Sequence, residues 1–89
     1  MRYSIRGENI EVTPALREYV EKKVGRLEKY FDDLSPSTEA HVTLSVLKDE
    51  HTIEVTIPMP GVILRAEDTH KDMYAATDLV VEKLERQIR

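Results

Sequence analysis

The run His41-Val42-Thr43-Leu44-Ser45-Val46-Leu47-Lys48-Asp49-Glu50-His51-Thr52-Ile53-Glu54-Val55-Thr56-Ile57 sets the fold. Val42, Leu44 and Val46 alternate with His41, Thr43 and Ser45, and Ile53, Val55 and Ile57 alternate with Thr52, Glu54 and Thr56. A period of two predicts strands with one buried face. Lys48-Asp49-Glu50 between them reads as a tight turn, so the two strands form a hairpin.

Working outward, Pro58-Met59-Pro60-Gly61 supplies a second turn, and Val62, Leu64 and Ala66 continue as another strand with Arg65 and Glu67 facing out. Upstream, Tyr3 and Ile5 alternate with Arg2, Ser4 and Arg6 as a first strand, broken at Gly7-Glu8-Asn9. Thr13-Pro14 starts a helix: Thr caps free amides and Pro is favoured at the first helical position. Leu16, Val20, Val24, Leu27 and Phe31 carry its apolar stripe over residues 14–31, and Asp32-Asp33 with Ser35-Pro36-Ser37 close it. Thr69 and Asp72 form an acidic variant of the capping box for a second helix over 70–89, striped by Met73, Ala76, Val80, Leu84 and Ile88. Its run to Arg89 without Gly, Asn or Pro predicts a longer parent.

The order is β-α-β-β-β-α, an α+β fold. A right-handed first crossover makes strands one and two parallel, and hairpins add strands three and four to a mixed four-stranded sheet. One apolar face per strand puts both helices on the same side. Counting reversals, the helices run parallel.

The 89 residues make a single domain, too short for two lobes and a deep cleft between them. With no cysteine, disulfides, thiolate metal sites and cysteine nucleophiles are excluded. The N-terminus lacks a signal-like apolar run, and no stretch reaches the roughly 18 apolar residues of a membrane helix. A cytoplasmic protein without a membrane partner is expected. His41, His51 and His70 lack metal-ligand spacing and read as surface histidines of strands or loops. The acid pairs Asp32-Asp33, Asp49-Glu50 and Glu67-Asp68 sit at element ends, where turns and caps explain them. Gly7, Gly25 and Gly61 lie too far apart for a phosphate loop, and Gly25 falls on the exposed side of helix one without an evident reason. No catalytic site, cofactor, metal or small-molecule substrate is indicated.

The net charge of −4 argues against nucleic acid until its distribution is read. The two helices hold nine basic against seven acidic residues, leaving them at +2; the remainder, four against ten, stands at −6. At about 100° per residue, Lys22, Lys23, Arg26 and Lys29 fall on one flank of helix one with Tyr19 and Tyr30 among them. Glu18, Glu21 and Glu28 fall opposite. On helix two, Lys83 and Arg86 take one flank, Asp78 and Glu85 the other, and Glu82 the back. Parallel helices would tilt both basic flanks one way, so one large anion would meet both. The same residues also suit ordinary solvated faces, with Glu18–Lys22 and Glu82–Arg86 as i,i+4 pairs and the tyrosines at the core margin.

Four segments carry a resemblance: Arg6-Gly7-Glu8-Asn9-Ile10-Glu11-Val12-Thr13-Pro14-Ala15-Leu16-Arg17, Arg26-Leu27-Glu28-Lys29-Tyr30-Phe31, Asp72-Met73-Tyr74-Ala75-Ala76 and Lys83-Leu84-Glu85-Arg86-Gln87. In this order, over essentially the whole chain, the sequence resembles the ribosome hibernation promoting factors, also called ribosome-associated inhibitors or ribosomal subunit interface proteins. The resemblance implies the β-α-β-β-β-α fold with two helices on the sheet. It further implies docking on 16S-type rRNA of the small ribosomal subunit, in the channel of messenger and transfer RNA, silencing idle ribosomes without bond chemistry. The family's basic positions map onto Lys22 or Lys23, Arg26, Lys29, Lys83 and Arg86, with Arg89 reaching RNA if the last turn frays. Long members pair ribosomes through a C-terminal domain, and this chain looks like the N-terminal domain of such a form, so homodimerisation is expected only through that further domain. The alternative is a protein-interaction domain using its sheet face or edge, with Ile63 on the outer face.

Overall fold

The computed structural model describes residues 1–89. Its elements are β1 (Arg2–Glu8), α1 (Pro14–Gly25), a 3-10 segment (Arg26–Tyr30), β2 (Glu39–Leu47), β3 (Glu50–Met59), β4 (Val62–His70) and α2 (Met73–Ile88). The sheet runs β1-β2-β3-β4, with β1 parallel to β2 and the other pairs antiparallel.

The alternation read from the sequence sets the register. Ile5, Val42, Val55 and Ala66 form one row across the sheet, and Leu44 pairs with Ile53. With Ile57 and Leu64 they turn inward against Leu16, Val20, Val24 and Leu27 from the first helical stretch and Met73, Ala76, Val80 and Leu84 from α2. One core collects both helices, so both cover the same face. Full burial of each Leu, Ile, Val or Met there contributes about 1.5–3 kcal/mol. Interhelical contacts fix the relative direction: Tyr19 meets Tyr74 and Asp78, while Tyr30 meets Glu85 and Arg89. Positions rise together along both helices, so they are parallel.

Several local expectations change. Leu47 and Glu50 pair, leaving only Lys48 (φ 49°) and Asp49 (φ 65°) in the turn, two left-handed residues that match the twist of a two-residue hairpin. Pro58 and Met59 belong to β3, and Gly61 (φ 79°) turns the chain into β4. β1 continues through Glu8 and breaks at Asn9 (φ 60°). Thr13 accepts from the Leu16 amide at 3.2 Å, as expected of an N-cap. For α2 the cap is Asp72, whose carboxylate accepts from Tyr74 and Ala75, both at 3.3 Å; Thr69 stays in β4, bonded to Thr52. Met73 packs in the core.

The first helix is shorter than 14–31. It ends at Gly25, and Arg26–Tyr30 tighten to 3-10 geometry before Phe31 adopts extended dihedrals. Gly25 is half-buried rather than exposed, and a Cβ there would lie 2.8 Å from the Tyr3 hydroxyl. The glycine leaves room for β1's tyrosine beneath the end of the helix. His51 is half-buried, and its Nδ1 is enclosed without a hydrogen-bond partner.

Candidate nucleic-acid interface

The basic residues of α1 and the 3-10 segment form a row along the outside of the helical layer. Lys22, Arg26 and Lys29 are exposed, and none has a carboxylate within 4 Å. The 3-10 geometry matters here: at three residues per turn, side chains three apart eclipse, so Arg26 and Lys29 line up. Lys29 Nζ lies 5.3 Å from the centre of the Tyr30 ring. The expected Glu18–Lys22 and Glu82–Arg86 pairs do not form; Arg17–Glu21, at 3.3 Å, is the i,i+4 bridge on α1.

Lys23 differs from its neighbours. It turns toward α2, with Nζ 3.6 Å from Asp78 Oδ1 and 5.4 Å from the centre of the Tyr19 ring. Tyr19 donates to the same Asp78 oxygen at 2.7 Å, and this bond, reinforced by slight burial, holds the phenol proton above its ordinary pKa. Farther along, the Tyr30 hydroxyl donates to Glu85 at 3.0 Å and accepts from Arg89 at 3.5 Å. Arg89 is thus tied to the end of the α1 row by the Tyr30 hydroxyl, whose hydrogen bond raises the pKa of the guanidinium further.

A groove of about 310 Å³ between the helices is lined by Lys23, Arg26, Asp78, Val81, Glu82 and Glu85. Its charge explains what became of the two basic flanks. They do turn the same way, but in side-by-side parallel helices this sets the basic flank of α1 against the acidic flank of α2. Lys83 and Arg86 lie beyond that acidic strip. Lys83 reaches β4 instead, pairing with Asp68 at 3.1 Å and donating to the Glu67 carbonyl at 2.9 Å. Arg86, one turn on, is exposed without a carboxylate within 4 Å. The seven candidates therefore make no continuous patch. Lys22, Arg26 and Lys29 form a row with Arg89 at its end, Lys23 is paired inward, and Arg86 and Lys83 stand across the strip.

The residues that sequence reasoning missed are Asp78 and Glu85, which align the helices through Tyr19, Lys23 and Tyr30. Their signal was present only as the acidic flank of α2, and its partner was not readable. The β4 edge also differs from the alternative reading: Gln87 bonds the Arg65 amide at 3.3 Å and its carbonyl at 2.6 Å. Ile63 is exposed on the outer face as read. The largest cavity, about 450 Å³, is lined by Asp32 and Asp33 among apolar residues and by no cation, so it does not suit a phosphate. No group of three or more metal-ligating side chains occurs, and no helix is long and apolar enough to cross a membrane.

The chain is similar to known proteins in sequence and in fold. The sequence is 56% identical over 90 residues to the ribosome hibernation promotion factor of Bacillus subtilis (strain 168), covering 100% of this chain and 47% of that protein. It is 54% identical to the factor of the same name from Lactococcus lactis subsp. cremoris (strain MG1363), with 100% and 48% covered. The chain thus spans about half the length of these curated relatives. Among solved structures, the Thermus thermophilus Protein Y N-terminal domain superposes with a TM-score of 0.89 at 38% identity, over 99% of this chain and 96% of that one. A ribosomal subunit interface protein from Coxiella burnetii gives 0.82 at 28% identity, over 99% and 93%. The family model described as Sigma 54 modulation protein / S30EA ribosomal protein matches residues 3–89, from β1 to the end of α2, and the chain belongs to that family.

Proposed function

We propose that this domain is a non-enzymatic translation-silencing factor of the cytoplasm, which docks on 16S-type rRNA of the small ribosomal subunit. It acts by occupying the messenger and transfer RNA channel of idle ribosomes, as a stress response. Ribosome pairing is not assigned to this domain. The observation that carries the reading is the free row Lys22, Arg26 and Lys29, extended by Arg89 and flanked by Arg86. Cations without an internal carboxylate are ready for phosphate, and such contacts read RNA backbone and shape more than sequence. Lys23 and Lys83, already paired with Asp78 and Asp68, contribute less to docking than the free cations.

The test compares two triple reversals of equal charge by cosedimentation with small subunits. One changes Lys22, Arg26 and Lys29 to Glu. The other changes Arg2, Arg6 and Arg65 to Glu, all exposed on the outer face of the sheet. Loss of binding in the first alone is expected, with wild-type affinity falling as salt rises. Equal loss in both would remove the helical row as the docking surface.

A further inference from the structure

Tyr74, at the start of α2, and Tyr19, midway along α1, meet edge to face, with ring centres 4.9 Å apart and planes at 73°. Tyr19 is held by its bond to Asp78 and by Lys23 over its ring. Tyr74 is braced by Tyr19 yet 40% exposed, the one aromatic among the exposed large apolar side chains. A ring fixed in direction but open to solvent is a stacking surface with little ordering left to do.

Beside it opens a notch of about 270 Å³ lined by Ala15, Glu18, Tyr19, Lys22 and Tyr74. Ala15 keeps it open, because a longer side chain on that face of α1 would fill it. Lys22 and Glu18 stand at its rim, neither in an ion pair. The lysine suits a phosphate. The carboxylate repels one and accepts from the N–H edge of a base. Aromatic wall, small floor, one cation and one acceptor match a nucleotide removed from its stack.

We infer that this notch takes a single unstacked RNA base against Tyr74, with the adjoining phosphate on Lys22. The inference deepens the rRNA-docking reading and rests on it. It adds that the RNA met beside α1 and the start of α2 is unpaired, because bases in a continuous duplex keep their faces covered.

The experiment measures small-subunit affinity over a range of salt for wild type, Y74A, Y74F, A15L and the Lys22, Arg26 and Lys29 triple reversal. Y74A should lose roughly 5- to 150-fold, the range of one base–aromatic stack. Its salt dependence should stay that of wild type, since stacking releases no counterions. Y74F should bind like wild type. A15L should lose affinity with the tyrosine pair intact, which separates a blocked notch from a damaged fold. The chain has no tryptophan, so Y74W supplies a unique fluorophore whose emission should be quenched on binding subunits. If Y74A and A15L bind like wild type while the triple reversal does not, the notch is unused. If the triple reversal also binds normally, the docking reading itself falls.

Discussion

Tyr3 illustrates how much one side chain can depend on contacts far along the sequence. On β1 its ring packs against the core, and its hydroxyl sits under Gly25, beside Glu28. Burial first, and then the Glu28 and Glu21 carboxylates, push the phenol up to about 12. A folded-state pKa raised above the unfolded value of 10 means that folding favours the protonated phenol. The associated stability is fully present below pH 10 and is lost as pH rises toward 12. Because the ring is only half-buried, solvent screening brings the loss to the order of 1 kcal/mol, below the full linkage value. Y3F should flatten this part of the curve relative to wild type, measured by urea denaturation from pH 9 to 12. Parallel alkaline curves would mean that the hydroxyl is solvated in the native state. The sequence placed Gly25 on an open helix face because helical angle ignores what another strand delivers beneath it.

At the scale of elements, the β-α-β-β-β-α order was legible because strand and helix periods are local and strong. The 3-10 ending of the first helix was not. Leu27 and Phe31, four apart, keep α-helical spacing, and that spacing masked the tighter winding of Arg26–Tyr30. The role of Lys83 was equally hidden, since a basic flank and a clip on a strand edge look alike on a helical wheel. Lys83 and Gln87, one turn apart, occupy the Glu67 carbonyl and both backbone groups of Arg65. Edge strands with open backbone groups invite pairing with another chain, and these two side chains cover one. Lys83→Ala with Gln87→Ala should therefore lower stability by about 1–2 kcal/mol, the net worth of a few exposed hydrogen bonds. It should also raise concentration-dependent self-association, followed by light scattering. Arg86→Ala, with no such contact, should do neither and should weaken subunit binding instead. If the Lys83/Gln87 variant stays monomeric and loses subunit binding as Arg86→Ala does, Lys83 is an RNA contact rather than an edge clip.

For the whole molecule, the net −4 and the +2 of the helices describe the charge less well than its pairing does. The sequence located the basic rows, but which side of each helix faces the other depends on packing. That facing decides which cations are free. Lys23 and Lys83 already have carboxylates at 3.6 and 3.1 Å, whereas Lys22, Arg26, Lys29, Arg86 and Arg89 have none within 4 Å. Each phosphate neutralised on RNA releases counterions and steepens the dependence of log affinity on log salt by about 0.7–0.9. Five free cations thus give a slope of about −3.5 to −4.5 for subunit binding. A cation that must first leave its own carboxylate gains less, because the freed acid regains its counterion as the phosphate loses one. Lys29→Gln should therefore flatten the slope by about 0.7–0.9, and Lys23→Gln or Lys83→Gln by clearly less. Titrations at four or more salt concentrations read this directly. Equal flattening at all seven positions would show that the internal pairs dissolve on docking, and that the acidic strip of α2 does not select among the cations.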